Sequence, residues 1–152
     1  MKHTTVCYIE NDGKYLMIHR IKKKNDENGG KWIGVGGKLE EGESPFDCVR
    51  REVKEETGLT ISHPSYRGFI TFVSDIFGTE YMHLFTAKNF EGTLRSDCPE
   101  GVLKWVDKSD IPTLPRWEGD KVFMSLLDTD TPFFSLRLEY SGDTLIGSKL
   151  EY

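Results

Sequence analysis

Glu52, Glu55 and Glu56 stand at i, i+3 and i+4 in a segment marked at both ends for a helix, so three carboxylates are expected on one face within a single turn. Ser44 is placed as the N-cap, Pro45 as the first helical residue and Asp47 as an acid in the first turn. Gly58 is a favoured residue just beyond the C-terminus, so the helix is predicted to run to Glu56 or Thr57. Phe46, Val49 and Val53 recur at helical spacing and predict its core face. Such a helix must bury one side while crowding like charge on another. A hard divalent cation relieves that repulsion, because Mg²⁺ prefers oxygen ligands and bridges carboxylates to substrate phosphates. Read alone, the triplet also fits a solvated acidic face, the commoner arrangement.

The rest of the chain supplies short strands around this helix. Thr4 to Ile9 and Tyr15 to Ile18 flank Asn11-Asp12-Gly13 and read as a hairpin. Asn25 to Gly30 is a polar loop, and Lys31 to Gly37 a short strand ending where two glycines meet, a sign of close backbone approach. Arg67 to Ser74 and Tyr81 to Lys88 read as paired strands, Val102 to Val106 as another, and Trp117 to Leu127 as a second helix. Phe133 to Tyr140 and Thr144 to Leu150 close the chain as a hairpin. Mixed order of this kind predicts an α/β sandwich. At 152 residues, with no repeat or low-complexity linker, one domain over 1–152 is expected.

A net charge of −5 argues against sequence-independent grip on duplex nucleic acid, which needs basic surface, yet leaves a polyphosphate reachable through a divalent metal. Cys7, Cys48 and Cys98 are odd in number and lack metal-binding spacing, so reduced thiols are expected. The first residues carry no secretory signal, and no run of about 18 apolar residues occurs. The expectation is a cytoplasmic protein with no membrane partner, as a monomer or homodimer.

The wider spacing decides between the two readings of the acidic helix. Gly37, five residues, Glu43, seven residues, then Arg51-Glu52-Val53-Lys54-Glu55-Glu56-Thr57-Gly58-Leu59 resembles the full signature of the Nudix hydrolases, the MutT-like family, at all nine specified positions over 37–59. At roughly 5 to 10% per position, chance agreement is on the order of one in 10¹⁰. Gly30-Lys31-Trp32, Gly34, Gly36-Gly37-Lys38, Glu41-Gly42-Glu43 and Leu114 to Asp120 extend the likeness toward the branch that sanitises oxidised purine nucleoside triphosphates such as 8-oxo-dGTP.

The resemblance implies an α/β/α sandwich around a mixed sheet, with the signature as a loop-helix-loop that positions metal. It implies Mg²⁺, with Mn²⁺ as a substitute, held by the Gly37 carbonyl, Glu52, Glu55 and Glu56. Arg51 and Glu43 would pair to hold loop and helix in register. Glu100 is similar in placement to a distal metal-binding acid, although an exposed loop glutamate is the alternative. The implied reaction is attack of water on a phosphorus of a nucleoside triphosphate, giving a monophosphate and pyrophosphate, with Glu52 or Glu56 taking the proton.

For the substrate, Trp117 and Asp120 are candidates for a stacking plane and a directed hydrogen bond to a purine edge; packing of Trp117 into the core with a capping acid is the alternative. Arg20 and Lys38 are candidate phosphate contacts, and Trp32 is expected in the core. Two positions depart from the oxidised-purine pattern: Ile33 replaces an amide residue after the tryptophan, and Gly119-Asp120 replaces paired acids. Weaker selectivity for an oxidised base is therefore expected. A pyrophosphatase for another nucleoside diphosphate derivative such as ADP-ribose, or a non-catalytic nucleotide sensor, stays open.

Overall fold

The computed structural model describes residues 1–152. Strands β1 (Lys2–Asn11) and β2 (Lys14–His19) form the opening hairpin. Asp12 at φ 52° and Gly13 at φ 73° turn it, the left-handed pair that matches strand twist. A two-residue β3 (Trp32–Ile33) precedes helix α1 (Pro45–Thr57), and β4 (Thr60–Ser62), β5 (Ser65–Ser74), β6 (Gly78–Ala87), β7 (Asn89–Glu91) and β8 (Val102–Asp107) follow. A 3-10 turn at Ile111–Thr113 leads to α2 (Asp120–Leu127) and the closing hairpin of β9 (Phe134–Ser141) and β10 (Thr144–Glu151).

The main sheet is ordered β10-β9-β5-β6-β1-β2-β3, with β8 also on β2. It is mixed: β1 runs parallel to β6 and β5 parallel to β9, while the other pairs are antiparallel. Alternation along β1 sends Tyr8 to a core shared with Phe123, Met124 and Leu127 of α2, and Cys7 and Ile9 to a core shared with Val49 and Val53 of α1. One helix covers each face, giving the α/β/α sandwich. Each fully buried aliphatic side chain there contributes about 1.5 to 3 kcal/mol of burial.

Helix α1 begins and ends as its sequence predicts. Ser44 and Asp47 form a reciprocal capping box, and Gly58 adopts φ 80° with its N–H donating to the Lys54 carbonyl. Phe46 departs from the expected core face: it is 37% exposed and packs edge-on against Tyr66 and Phe85 at the margin of the layer.

Two further expectations are corrected. The strand over Lys31 to Gly37 is regular only at Trp32–Ile33; beyond it the chain runs along β1 through bridges Cys7↔Val35 and Thr4↔Lys38. Gly36 lies against the Thr5 backbone with no room for a Cβ. The second helix starts at Asp120 and not at Trp117: the chain enters it through tighter i→i+3 turns, with Asp120 N–H donating to the Trp117 carbonyl at 3.1 Å and Val122 N–H to the Gly119 carbonyl at 3.0 Å, while Gly119 packs against Leu138 and Tyr140. The small β4–β7 pair, with Ile61 opposite Phe90, is too short to have left a periodic signal.

Candidate active site

The signature segment is held together by Arg51. Its Nε and Nη2 donate to Glu43 Oε2 and Oε1 at 2.7 and 2.9 Å, and Nη2 donates again to the Lys38 carbonyl at 3.0 Å. This two-pronged geometry fixes the loop against the helix. Hydrogen bonding to Arg51 brings the Glu43 carboxyl down to about 2. Arg51 Nη1 also reaches Glu52 Oε1 at 2.7 Å and Glu55 Oε2 at 3.2 Å.

The three helix carboxylates have different surroundings. Glu56 is buried and Glu52 nearly so, and both line a cleft of about 680 Å³. Glu55 is exposed and lies outside that lining. Burial first, then the charge of Glu52 and a hydrogen bond with it, push the Glu56 carboxyl up to about 9. The site therefore favours the protonated form of Glu56. Gly37 explains their closeness to the loop: a Cβ there would stand 2.6 Å from Glu52 Oε2. The Gly37 carbonyl accepts the Thr5 N–H at 2.8 Å and faces the Cys48 thiol at 3.6 Å.

Glu100 reaches the same cleft from the loop before β8, where Gly101 packs against the His19 backbone. It pairs with Arg20 at 3.1 Å, and Arg20 also holds Asp26 at 2.6 Å. Lys38 is on the cleft rim. No three acidic, histidine or cysteine side chains converge into a ready-made metal cage. Arginines occupy the carboxylates instead: Arg51 on Glu52 and Glu55, Arg20 on Glu100. The donor set still fits a hard cation: carboxylate oxygens line the cleft, one carboxyl is raised by burial and by the acid beside it, and a side-chain-free position abuts them. Glu52, Glu56 and Glu100 are the acids placed to hold it; Glu55 would have to turn inward.

Trp117 and Asp120 line the same cleft. Trp117 is buried, edge-on against Phe72 and Tyr140 with ring centroids 5.2 and 5.1 Å away, and Lys31 Nζ sits 4.4 Å from its ring centroid. It belongs to the core and also forms part of the cleft wall. Asp120 is buried, and burial pushes its carboxyl up to about 7 against the pull of Arg116 and Lys31. Trp32 is half-buried outside the cleft lining and stacks on His19. Sequence reasoning missed Asp26, Asn28, Phe72 and Phe123 as cleft residues; the loop residues carry no periodicity and the two phenylalanines read as ordinary core.

A mixed sheet between two helices thus carries an acid-lined loop and helix that open on a cleft. The NUDIX domain profile matches residues 1–127, and the chain belongs to the Nudix hydrolase family, which acts on nucleotide phosphoanhydride bonds. Among its relatives, the Nudix hydrolase YvcI of Bacillus subtilis is 36% identical over 124 residues, 79% of this chain and 75% of that protein. The oxidized purine nucleoside triphosphate hydrolase of Danio rerio is 34% identical over 152 residues, 99% of this chain and 94% of that protein. In three dimensions the chain is similar to the MutT protein of Bacillus halodurans, with a TM-score of 0.88 and 29% identity over 99% of this chain and 98% of that one.

Proposed function

We propose that this Nudix hydrolase is a Mg²⁺-dependent nucleoside triphosphate pyrophosphatase that prefers purines, accepts 8-oxo-dGTP, and releases a nucleoside monophosphate and pyrophosphate. The observation that carries the reading is the single cleft in which an acid-and-arginine group (Glu52, Glu56, Glu100, Arg20) and an aromatic group (Trp117, Phe72, Phe123) with a buried acid (Asp120) stand together. The first group suits a polyphosphate with its metal and the second a flat base. Similarity to an oxidized purine nucleoside triphosphate hydrolase over nearly the whole chain supports the same assignment.

Glu52, Glu56, Glu100 and the Gly37 carbonyl are assigned to the metal, with Glu55 joining when its contact with Arg51 is exchanged. A bound divalent ion there neutralises charge on the phosphate oxygens and lowers the pKa of a water. Glu52 or Glu56, whichever is ionised, is assigned to accept the proton of the attacking water. Arg51 and Glu43 act as positioning residues: they fix the loop so that Glu52 faces the cleft. Arg20 and Lys38 are assigned to phosphate oxygens.

The test is a panel of dGTP, 8-oxo-dGTP, dATP, dCTP, dTTP and ADP-ribose compared by kcat/KM with Mg²⁺ and with EDTA. Purine triphosphates are expected to lead, and Trp117→Ala to raise KM by roughly tenfold, since base stacking contributes about 1 to 3 kcal/mol. Equal rates on pyrimidines, or a preference for ADP-ribose, would sink the purine assignment; activity retained in EDTA would sink the metal assignment.

A further inference from the structure

Three consecutive residues of the loop between β2 and β3 are each tied to a different part of the cleft wall. Asp26 pairs with Arg20 at 2.6 Å, Glu27 with Lys2 at 2.7 Å, and Asn28 Oδ1 accepts the Trp117 indole N–H at 2.8 Å. Asn28 is further fixed by its own N–H on Asp26 Oδ1 at 3.1 Å and by its carbonyl, which accepts the Lys31 N–H at 2.9 Å. The side-chain amide thus has a set orientation. An amide whose oxygen accepts from the indole must direct its NH₂ elsewhere, and that group makes no hydrogen bond within the protein. Asn28 lines the cleft beside Trp117 and Asp120, whereas Ile33, which lines it too, brings no polar group.

We propose that Asn28 is a specificity-determining residue: its oxygen locks the Trp117 indole, and its free NH₂ donates to a ring carbonyl of a purine. This rests on the purine assignment made above for the cleft. The chemistry is complementary. Asp120, when ionised, only accepts hydrogen bonds, so a purine edge bearing both a carbonyl and an N–H, as in guanine, hypoxanthine or 8-oxoguanine, satisfies both side chains. Adenine bound in the same pose turns its N6 amino group, a donor, toward the Asn28 NH₂ and its unprotonated N1, an acceptor, toward Asp120, so neither side chain is paired. A site built to make a hydrogen bond rejects the analogue that cannot make it, because the buried partner is then left unsatisfied.

Two substitutions separate the two tasks of this amide. Asn28→Asp keeps an acceptor for the indole but replaces the donor by a second acceptor; Asn28→Ala removes both. Each is compared with the wild type on 8-oxo-dGTP, dGTP, dITP and dATP, and metal-free Kd values are measured for dGMP, dIMP and dAMP, which require no chemistry. The Asn28→Asp variant is expected to lose about tenfold in kcat/KM on the oxo-purines relative to dATP, more in KM than in kcat, with the same ordering in the monophosphate Kd values. Asn28→Ala should weaken every purine and change the fluorescence difference between the protein and its Trp117→Phe counterpart, because the indole loses its tether. If Asn28→Asp keeps the wild-type ratios of oxo-purine to dATP within twofold, the amide is a tether only and the inference is overturned while the purine assignment stands. A wild type that hydrolyses pyrimidines as readily as purines overturns both.

Discussion

Glu56 is where charge, burial and chemistry meet. Its carboxyl is pushed up to about 9 from an ordinary value of 4.5, first by burial and then by Glu52. An acid raised in this way favours the fold while protonated, so its contribution is fully present below about pH 4.5 and is lost as pH rises through about 9. Melting of the metal-free protein should therefore fall between pH 5 and 9, and Glu56→Gln should flatten that fall while lowering kcat with Mg²⁺ by at least about 10²-fold. Melts in EDTA across that range check the first part; a variant with full activity removes Glu56 from the machinery. Glu43 is the opposite case: Arg51 depresses it to about 2, so its contribution is present above about pH 4.5 and is lost as pH falls through 2. Arg51→Ala should lower both kcat and Tm, because the two-pronged contact that holds the loop on the helix is lost. Unchanged melting would show a solvated pair. Spacing put the three glutamates on one face of α1, but their inequality was not legible: at i, i+3 and i+4 they look alike in sequence, and only packing shows that Glu55 stays in solvent beside Arg51 while Glu56 is buried.

At the scale of elements, the termini of α1 were legible because capping is local chemistry, written in Ser44, Pro45, Asp47 and Gly58. The start of α2 was not, since the tight i→i+3 turns from Trp117 to Val122 read in sequence like the helix they lead into. The loop of Asp26, Glu27 and Asn28 was equally opaque; the ion pair of Glu27 with Lys2 and the hydrogen bond of Asn28 with Trp117 join residues far apart in the chain. The two box glycines serve different ends, and substitution should tell them apart. Gly37→Ala drives a methyl into the Glu52 carboxylate and should abolish most activity with a small effect on melting, because a side chain can swing aside where a backbone cannot. Gly58→Ala places a Cβ at φ 80° and 2.8 Å from the Thr93 carbonyl, so it should cost about 1 to 3 kcal/mol of stability while sparing kcat in the folded fraction. Parallel melts and assays of the two variants check this; equal losses in both would refute the division of labour.

For the molecule as a whole, the alternation of strands and helices predicted a sandwich, and the sheet order that realises it came only from the structure, because parallel pairing of β1 with β6 and of β5 with β9 joins distant segments. One consequence lies at the sheet's centre. Thr5 N–H bonds the Gly37 carbonyl at 2.8 Å and Cys7 N–H bonds the Val35 carbonyl at 2.6 Å, so the acidic loop enters as an extra rung on β1, the strand flanked by β6 and the hairpin partner β2. Loops on a protein's rim exchange their amide hydrogens through small local openings, but this one is sewn into the last region to come apart. Deuterium should therefore reach the amides of Thr5, Cys7 and Val35 about as slowly as those of β6, with or without Mg²⁺. Fast exchange there would mean a catalytic loop that breathes independently of the sheet; slow exchange would mean that whatever motion accompanies turnover belongs to side chains and to the opposite wall of the cleft.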